Sequence, residues 1–467
     1  MNKMRRLRTV LLGALLVVPF ALMSQRQGRN QAPQAPAADT TKAPARPAPA
    51  KPGPKPYKEV VTSKAETTNG MIKVHHLDGR YMFELHDSLI NRDILVINRI
   101  SKSATGASQY AGDQIGSNVI KFDKGPDNKI FLHTISYSEI GSDTSADGMF
   151  RSVLNSNMQP IVASFDIKAF TTDSSGVVID ITDYIKSDND VLFFSASRKR
   201  AYSLGALQND RSYIEHVKAF PMNVEIRTVK TYNRTPAQTQ GAGDGGAAAS
   251  SPVTYELNSS MVLLPSNPMR ARQFDPRVGY FVASYTDFDA NPQGVKRISN
   301  IARWRLEPKD ADVQKYLSGQ LVEPKKQIVF YIDPVTPKKW VPYLIQGIND
   351  WQVAFEQAGF KNAIVGKEAP ANPEWNIEDA RHSAIVYKPS DIPNASGPHT
   401  HDPRTGEILE SHINWYHNVM YLLRNWYFIQ TAAVDERARK MVFSDELMGQ
   451  LIRFVSSHEV GHTLGLR

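Results

Sequence analysis

The sequence contains no cysteine. That absence excludes a disulfide framework, a thiol nucleophile, thiolate metal ligands and a lipid-modified cysteine anchor. A membrane-spanning run is also missing from the start of the chain, where the apolar stretch 10–23 has only fourteen residues. Crossing about 30 Å of hydrocarbon at about 1.5 Å per residue needs roughly twenty. The third deficit is basic charge in the body of the chain. Residues 1–56 hold ten Lys/Arg and one Asp, leaving 45 basic and 46 acidic residues for the remainder. The net charge of +8 therefore belongs to the N-terminal tail, and no nucleic-acid partner is expected.

That tail reads as an export signal followed by a tether. Lys3, Arg5, Arg6 and Arg8 precede the apolar run, and Ser24 and a polar stretch follow it; this is the order of a secretory signal peptide, assigned to 1–24. An exported protein (periplasmic, cell-surface or secreted) with no stable membrane span after signal removal is expected. Residues 25–56 form a linker, with eight Pro and eight Ala in 31–56. Such a stretch has too little apolar bulk to fold and favours extended polyproline-like conformations.

Beyond it the chain is expected to be multidomain, with β-rich N-terminal modules preceding an α/β unit that is still incomplete where the chain stops. A small β-rich module spans 57–101, with strands at 71–77 and 80–86 around Asp78-Gly79, a dipeptide suited to a two-residue hairpin turn. A sandwich-like β-rich domain spans 102–300, where short alternating runs broken by Gly, Asp, Asn and Ser suit a sandwich or a curved antiparallel sheet. Within it, the Gly/Ala/Ser-rich residues 238–251 read as a flexible loop. From 301 to 467 the pattern becomes α/β. A strand at 328–332 precedes a helix starting near Thr336-Pro337, strands follow at 385–387 and 407–415, and a last helix is capped by Ser444.

Histidine is concentrated where this last unit ends, with seven of the twelve in residues 382–467. The key stretch is His458-Glu459-Val460-Gly461-His462-Thr463-Leu464-Gly465. On a helix His458 and His462 project from one face and can reach one metal ion, while Glu459 sits beside them without taking a coordination position. Leu447, Leu451 and Val455 continue that face as packing. Two imidazoles with an open position suit Zn2+, which activates water near pH 7, and Glu459 is the expected general base. An HExxH run arises by chance in roughly one or two chains per hundred of this composition, and requiring Gly465 lowers that to about one in a thousand.

The run HEVGHTLGLR resembles the metzincin pattern HExxHxxGxxH, in which the glycine turns the chain so that a third histidine can reach the metal. The resemblance places that histidine just beyond Arg467, with the methionine turn further on, and implies that 301–467 is the N-terminal part of an incomplete α/β zincin (metzincin-like) catalytic domain. The chain is therefore expected to be a fragment that binds zinc weakly and is inactive by itself. Residues 402–409, with 275–281 and 303–307, resemble a narrower group: large secreted bacterial zinc-dependent metalloproteases with two uncharacterised N-terminal domains. What the resemblance implies is a zinc metalloprotease that hydrolyses peptide bonds of a peptide or protein substrate. It also implies that 396–398 and the strand after them edge the cleft where an extended peptide pairs.

Two other readings remain open. One is a gluzincin-type metallopeptidase with a distant glutamate ligand. The other is a secreted binding or adhesion protein with a vestigial metal site. His399 and His401 form an HxH pair that could bind a second metal or simply decorate a loop, and His412 and His417 read as packing residues. No cysteine is available for a thiolate latency switch, and oligomeric state leaves no mark on the sequence.

Overall fold

The computed structural model describes residues 53–104, 109–234 and 251–467. The expected signal peptide, most of the linker, and loop 238–251 up to Ser251 lie outside them. Asp78 and Gly79 both take positive φ, 49° and 72°, as the two-residue turn between Lys73–Leu77 and Arg80–His86 requires.

These two strands belong to a single twelve-stranded antiparallel sheet. From one edge its order is Glu66–Thr68, Lys73–Leu77, Arg80–His86, Gly176–Asp180, Ile161–Phe170, Lys129–Ile135, Gln114–Gly125, Ile94–Ser103, Ser251–Leu263, Asn223–Arg234 and Leu204–Leu207, with Tyr213–Ala219 also paired to Asn223–Arg234. Of the two expected arrangements, a sandwich or a curved antiparallel sheet, the structure has the second: one sheet that curls back on itself. Met71 N–H donates to the Phe220 carbonyl at 2.8 Å, and Ala219 N–H donates to Thr68 Oγ1 at 3.1 Å. Strands of up to thirteen residues accumulate enough twist to bring distant edges together. One core fills the curl, with Phe83, Phe122, Phe193, Phe194, Tyr232 and Tyr255 fully buried. The expected boundary after residue 101 falls inside Ile94–Ser103, a central strand paired on both sides.

The C-terminal part is built on a five-stranded sheet in the order Ile364–Glu368, Ile328–Ile332, Ser383–Lys388, His412–Tyr416, Ala395–Ser396. The first four strands are parallel, and the last runs antiparallel at the edge. The residues expected to form one strand at 407–415 split at Ser411. Glu407–Glu410 joins a separate small sheet with Arg303–Trp304 and Thr400–His401. Helix Val341–Asn349 packs against the final helix, Asp445–Thr463, with Leu344, Ile348, Ile452 and Val455 in the shared core. Gly347 permits this approach, since a Cβ there would lie 2.5 Å from the Arg453 carbonyl oxygen. The aromatic run after the sheet is core only at its start: Trp415 and Tyr416 are buried, but Trp426 is 47 % exposed.

Polar contacts lock the large sheet to the C-terminal part. Arg404 holds Asp402 through two donors at 2.9 and 2.6 Å, reaches Asp93 at 3.1 Å, and donates to the Pro265 carbonyl at 2.8 Å. Asn223 donates to the Glu378 carbonyl at 2.9 Å and accepts from Ala380 N–H at 3.0 Å. No helix among the described residues is long and apolar enough to cross a membrane.

Candidate metal centre

Ser444 caps the final helix by accepting from Leu447 N–H at 3.3 Å, and Asp445 and Glu446 occupy the first turn. Both features favour a helix start, because the side chain satisfies a free amide and the acids complement the dipole. Leu447 and Val455 are buried, and Leu451 packs on the same core. Two indole N–H groups fix the far half of the helix from outside: Trp351 donates to the Ser457 carbonyl at 2.8 Å, and Trp304 to the Thr463 carbonyl at 2.9 Å. Bidentate pairing of Arg453 with Asp350, at 2.8 and 2.6 Å, ties the middle.

The three motif side chains emerge at the end held by the indoles. His458 Nε2 and His462 Nε2 lie 3.1 Å apart. Two Zn–N bonds of about 2.1 Å at a tetrahedral angle would separate their nitrogens by roughly 3.4 Å, so the pair fits one ion with little adjustment. His462 Nδ1 lies 2.9 Å from the Leu466 carbonyl. A carbonyl can only accept, so Nδ1 carries the proton and Nε2 is left with its lone pair. His458 is solvent-exposed at the helix surface; partial burial of the ring and the neighbouring His462 hold it below the ordinary histidine range.

Glu459 is 6 % exposed, and its Oε2 is buried without a hydrogen-bond partner. Burial pushes its carboxyl upward, opposed by His462 and the Gly397 amide. Gly397 comes so close to the helix that a Cβ would lie 2.2 Å from the Glu459 carbonyl oxygen. The strand before it, Ala395–Ser396, is the edge of the five-stranded sheet beside the motif. Gly465 ends the helix at φ +100°, where a Cβ would lie only 2.0 Å from the Ala302 carbonyl oxygen. Its own carbonyl accepts from Phe281 N–H at 2.7 Å.

His399 precedes, and His401 belongs to, the short strand Thr400–His401 near this end of the helix. The Phe281 ring packs near both His399 and His462, with centroids 5.3 and 6.2 Å away. Burial pushes His399 down to about 4, helped by His401 and His462 nearby, and burial lowers His401 too. Both Nδ1 atoms are buried and unpartnered. His412 and His417 are engaged elsewhere, with the His382 carbonyl at 3.1 Å and the Tyr387 hydroxyl at 2.7 Å respectively. Among the described residues no group of three or more His, Asp or Glu side chains is placed to hold a metal ion, so His458 and His462 stand as a pair.

Sequence reasoning missed Trp351, Trp304 and Phe281 as supports of the motif. All three are far from it in sequence; the resemblance singles out 275–281 and 303–307, which hold Phe281 and Trp304, but no local pattern tells what they contact.

Three family models match separate parts of the chain. Residues 54–103 match a domain of unknown function, DUF5118, and residues 112–309 match a second, DUF5117. Neither a curated protein nor a solved structure matches the chain. Residues 440–467, which contain the whole histidine motif, match a family described as Met-zincin.

Proposed function

We propose that the protein is an exported zinc-dependent endopeptidase of metzincin type, with His458 and His462 as zinc ligands and Glu459 as general base. The observation that carries this reading is the 3.1 Å convergence of the two Nε2 atoms beside a buried carboxylate that has an unpaired oxygen. The Met-zincin match over the same residues supports it. A bound zinc ion would supply the Lewis acidity that makes a water nucleophilic near pH 7 and polarises a peptide carbonyl.

The chain's own residues do the rest. The Leu466 carbonyl orients His462 and fixes its tautomer. Glu459 Oε2 accepts a proton from the attacking water as the new C–O bond forms. It returns that proton to the amine nitrogen as the C–N bond breaks. Its burial shifts its pKa towards the operating pH, which improves proton transfer in both directions. The β-rich regions matched by the two domains of unknown function would precede this catalytic unit, and the basic, apolar start of the chain would direct its export.

The test is zinc-dependent cleavage of a broad peptide library by the natural gene product. Glu459→Gln is expected to lower the rate by at least about 10²-fold while leaving bound zinc unchanged. Stoichiometric zinc without turnover in the unsubstituted protein would instead favour a binding or adhesion protein with a vestigial site.

A further inference from the structure

A cleft of about 600 Å³ separates the outer face of the large sheet from the segment carrying His399 and His401. Its floor comes from the strands Ile94–Ser103, Gln114–Gly125 and Lys129–Ile135, through residues such as Ile97, Ser117, Asn118 and Thr134. Its volume lies in the range of ordinary ligand sites, roughly 300–1,000 Å³.

The lining is chemically unusual for this chain. Charged residues make up 22 % of the sequence, yet no Asp, Glu, Lys or Arg lines the cleft. Hydroxyls, amides and imidazoles alternate there with Leu, Ile, Val and Pro. His399 Nδ1 and His401 Nδ1 are buried without a hydrogen-bond partner, an arrangement that costs free energy unless something else pairs with them. Thr400–His401 is also the edge strand of its three-stranded sheet, so one side of its backbone is open to another extended chain. At the His399 end the cleft comes near the motif helix, where the Phe281 ring lies near both His399 and His462.

We infer that this cleft binds an extended, uncharged segment of the polypeptide substrate, with the β-rich region forming one wall of the substrate site. The inference rests on the peptidase reading and assigns a role to a region that reading leaves without one. An extended peptide satisfies the observations together: its backbone can pair with the edge strand and the imidazole nitrogens. Side chains without charge avoid desolvation against a wall that offers no counter-ion. Ser, Thr, Asn, Gln, Ala and Gly are the residues such a wall accepts.

Binding can be read without hydrolysis. Fluorescein-labelled ten-residue peptides, one neutral and built of Ser, Ala, Gln and Gly, one with four Lys and one with four Glu, are titrated with the Glu459→Gln chain by fluorescence anisotropy. Ser117 is an exposed floor residue, so Ser117→Lys and Ser117→Glu should both fold, as circular dichroism checks. The neutral peptide should bind best, and each substitution should weaken it at least tenfold. Ser117→Glu should shift preference to the Lys peptide and Ser117→Lys to the Glu peptide, a reversal that a merely structural effect does not produce. No binding of the neutral peptide, or equal binding by all three proteins, overturns the inference. Displacement of the peptide by a neutral oligosaccharide at lower concentration would also overturn it, by showing that the cleft prefers a sugar. Peptide binding by the chain without any zinc-dependent cleavage by the natural gene product would leave the cleft standing and remove the peptidase reading.

Discussion

Glu225 shows how strongly one side chain can couple this fold to pH. It is 3 % exposed and accepts hydrogen bonds from Asn223 and Asn258 at 2.6 Å each and from Ser260 at 2.7 Å. Burial pushes its pKa up to about 7, with Glu378 adding to the rise and the hydrogen bonds opposing it. In the unfolded chain the carboxyl ionises near 4.5, so between that pH and 7 the unfolded state releases a proton that the folded state keeps. Stability contributed by this group is therefore present at low pH and lost as pH rises through that window, by roughly 3 kcal/mol in all. Urea unfolding at pH 5 and pH 7.5 should show this slope, and Glu225→Gln should flatten it. An unchanged slope in that variant would mean the carboxyl is ionised in the folded protein throughout.

At the scale of elements, the motif helix was the most legible part of the sequence. Its cap at Ser444, apolar stripe and two histidines all follow from spacing within twenty residues, and local spacing is what a helix obeys. The Gly465 stop is equally local. It takes φ +100°, and a Cβ would meet the Ala302 carbonyl oxygen at 2.0 Å. Gly465→Ala is expected to cost about 2–4 kcal/mol from left-handed backbone and overpacking together, measured by thermal unfolding. The same change should weaken zinc binding, because the Leu466 carbonyl that orients His462 follows directly. Less legible was the break at Ser411. The strand pattern runs on without interruption there, while the backbone passes from one sheet to another.

The whole molecule is where local reading fails most. Strand Ile94–Ser103 pairs with Ser251–Leu263, about 160 residues further on. No turn signal records such a pairing, so the two regions matched separately at 54–103 and 112–309 give no local sign that their strands share one sheet. The same holds for the joint with the C-terminal part, which residues 402–407 supply although their sequence marks only a turn. Arg404 there bridges Asp402, which is fully buried, to Asp93 at the start of the central strand. Arg404→Ala should destabilise the protein by about 3 kcal/mol, because buried Asp402 loses its charged partner while Asp93 keeps Tyr137 and Lys121. Arg404→Lys should recover only part of that, since a point charge cannot reproduce the planar fork. Equal stability of all three proteins by chemical unfolding would show that the joint does not depend on this bridge.

The candidate metal centre joins these scales: two imidazoles set by local spacing, and a helix held by distant indoles. Equilibrium dialysis of zinc against the purified chain tests it most directly. The account predicts that His458→Ala and His462→Ala each weaken zinc binding by at least about tenfold, while Glu459→Gln leaves it unchanged. Equal zinc binding by all four proteins would contradict the assignment of the metal to this helix.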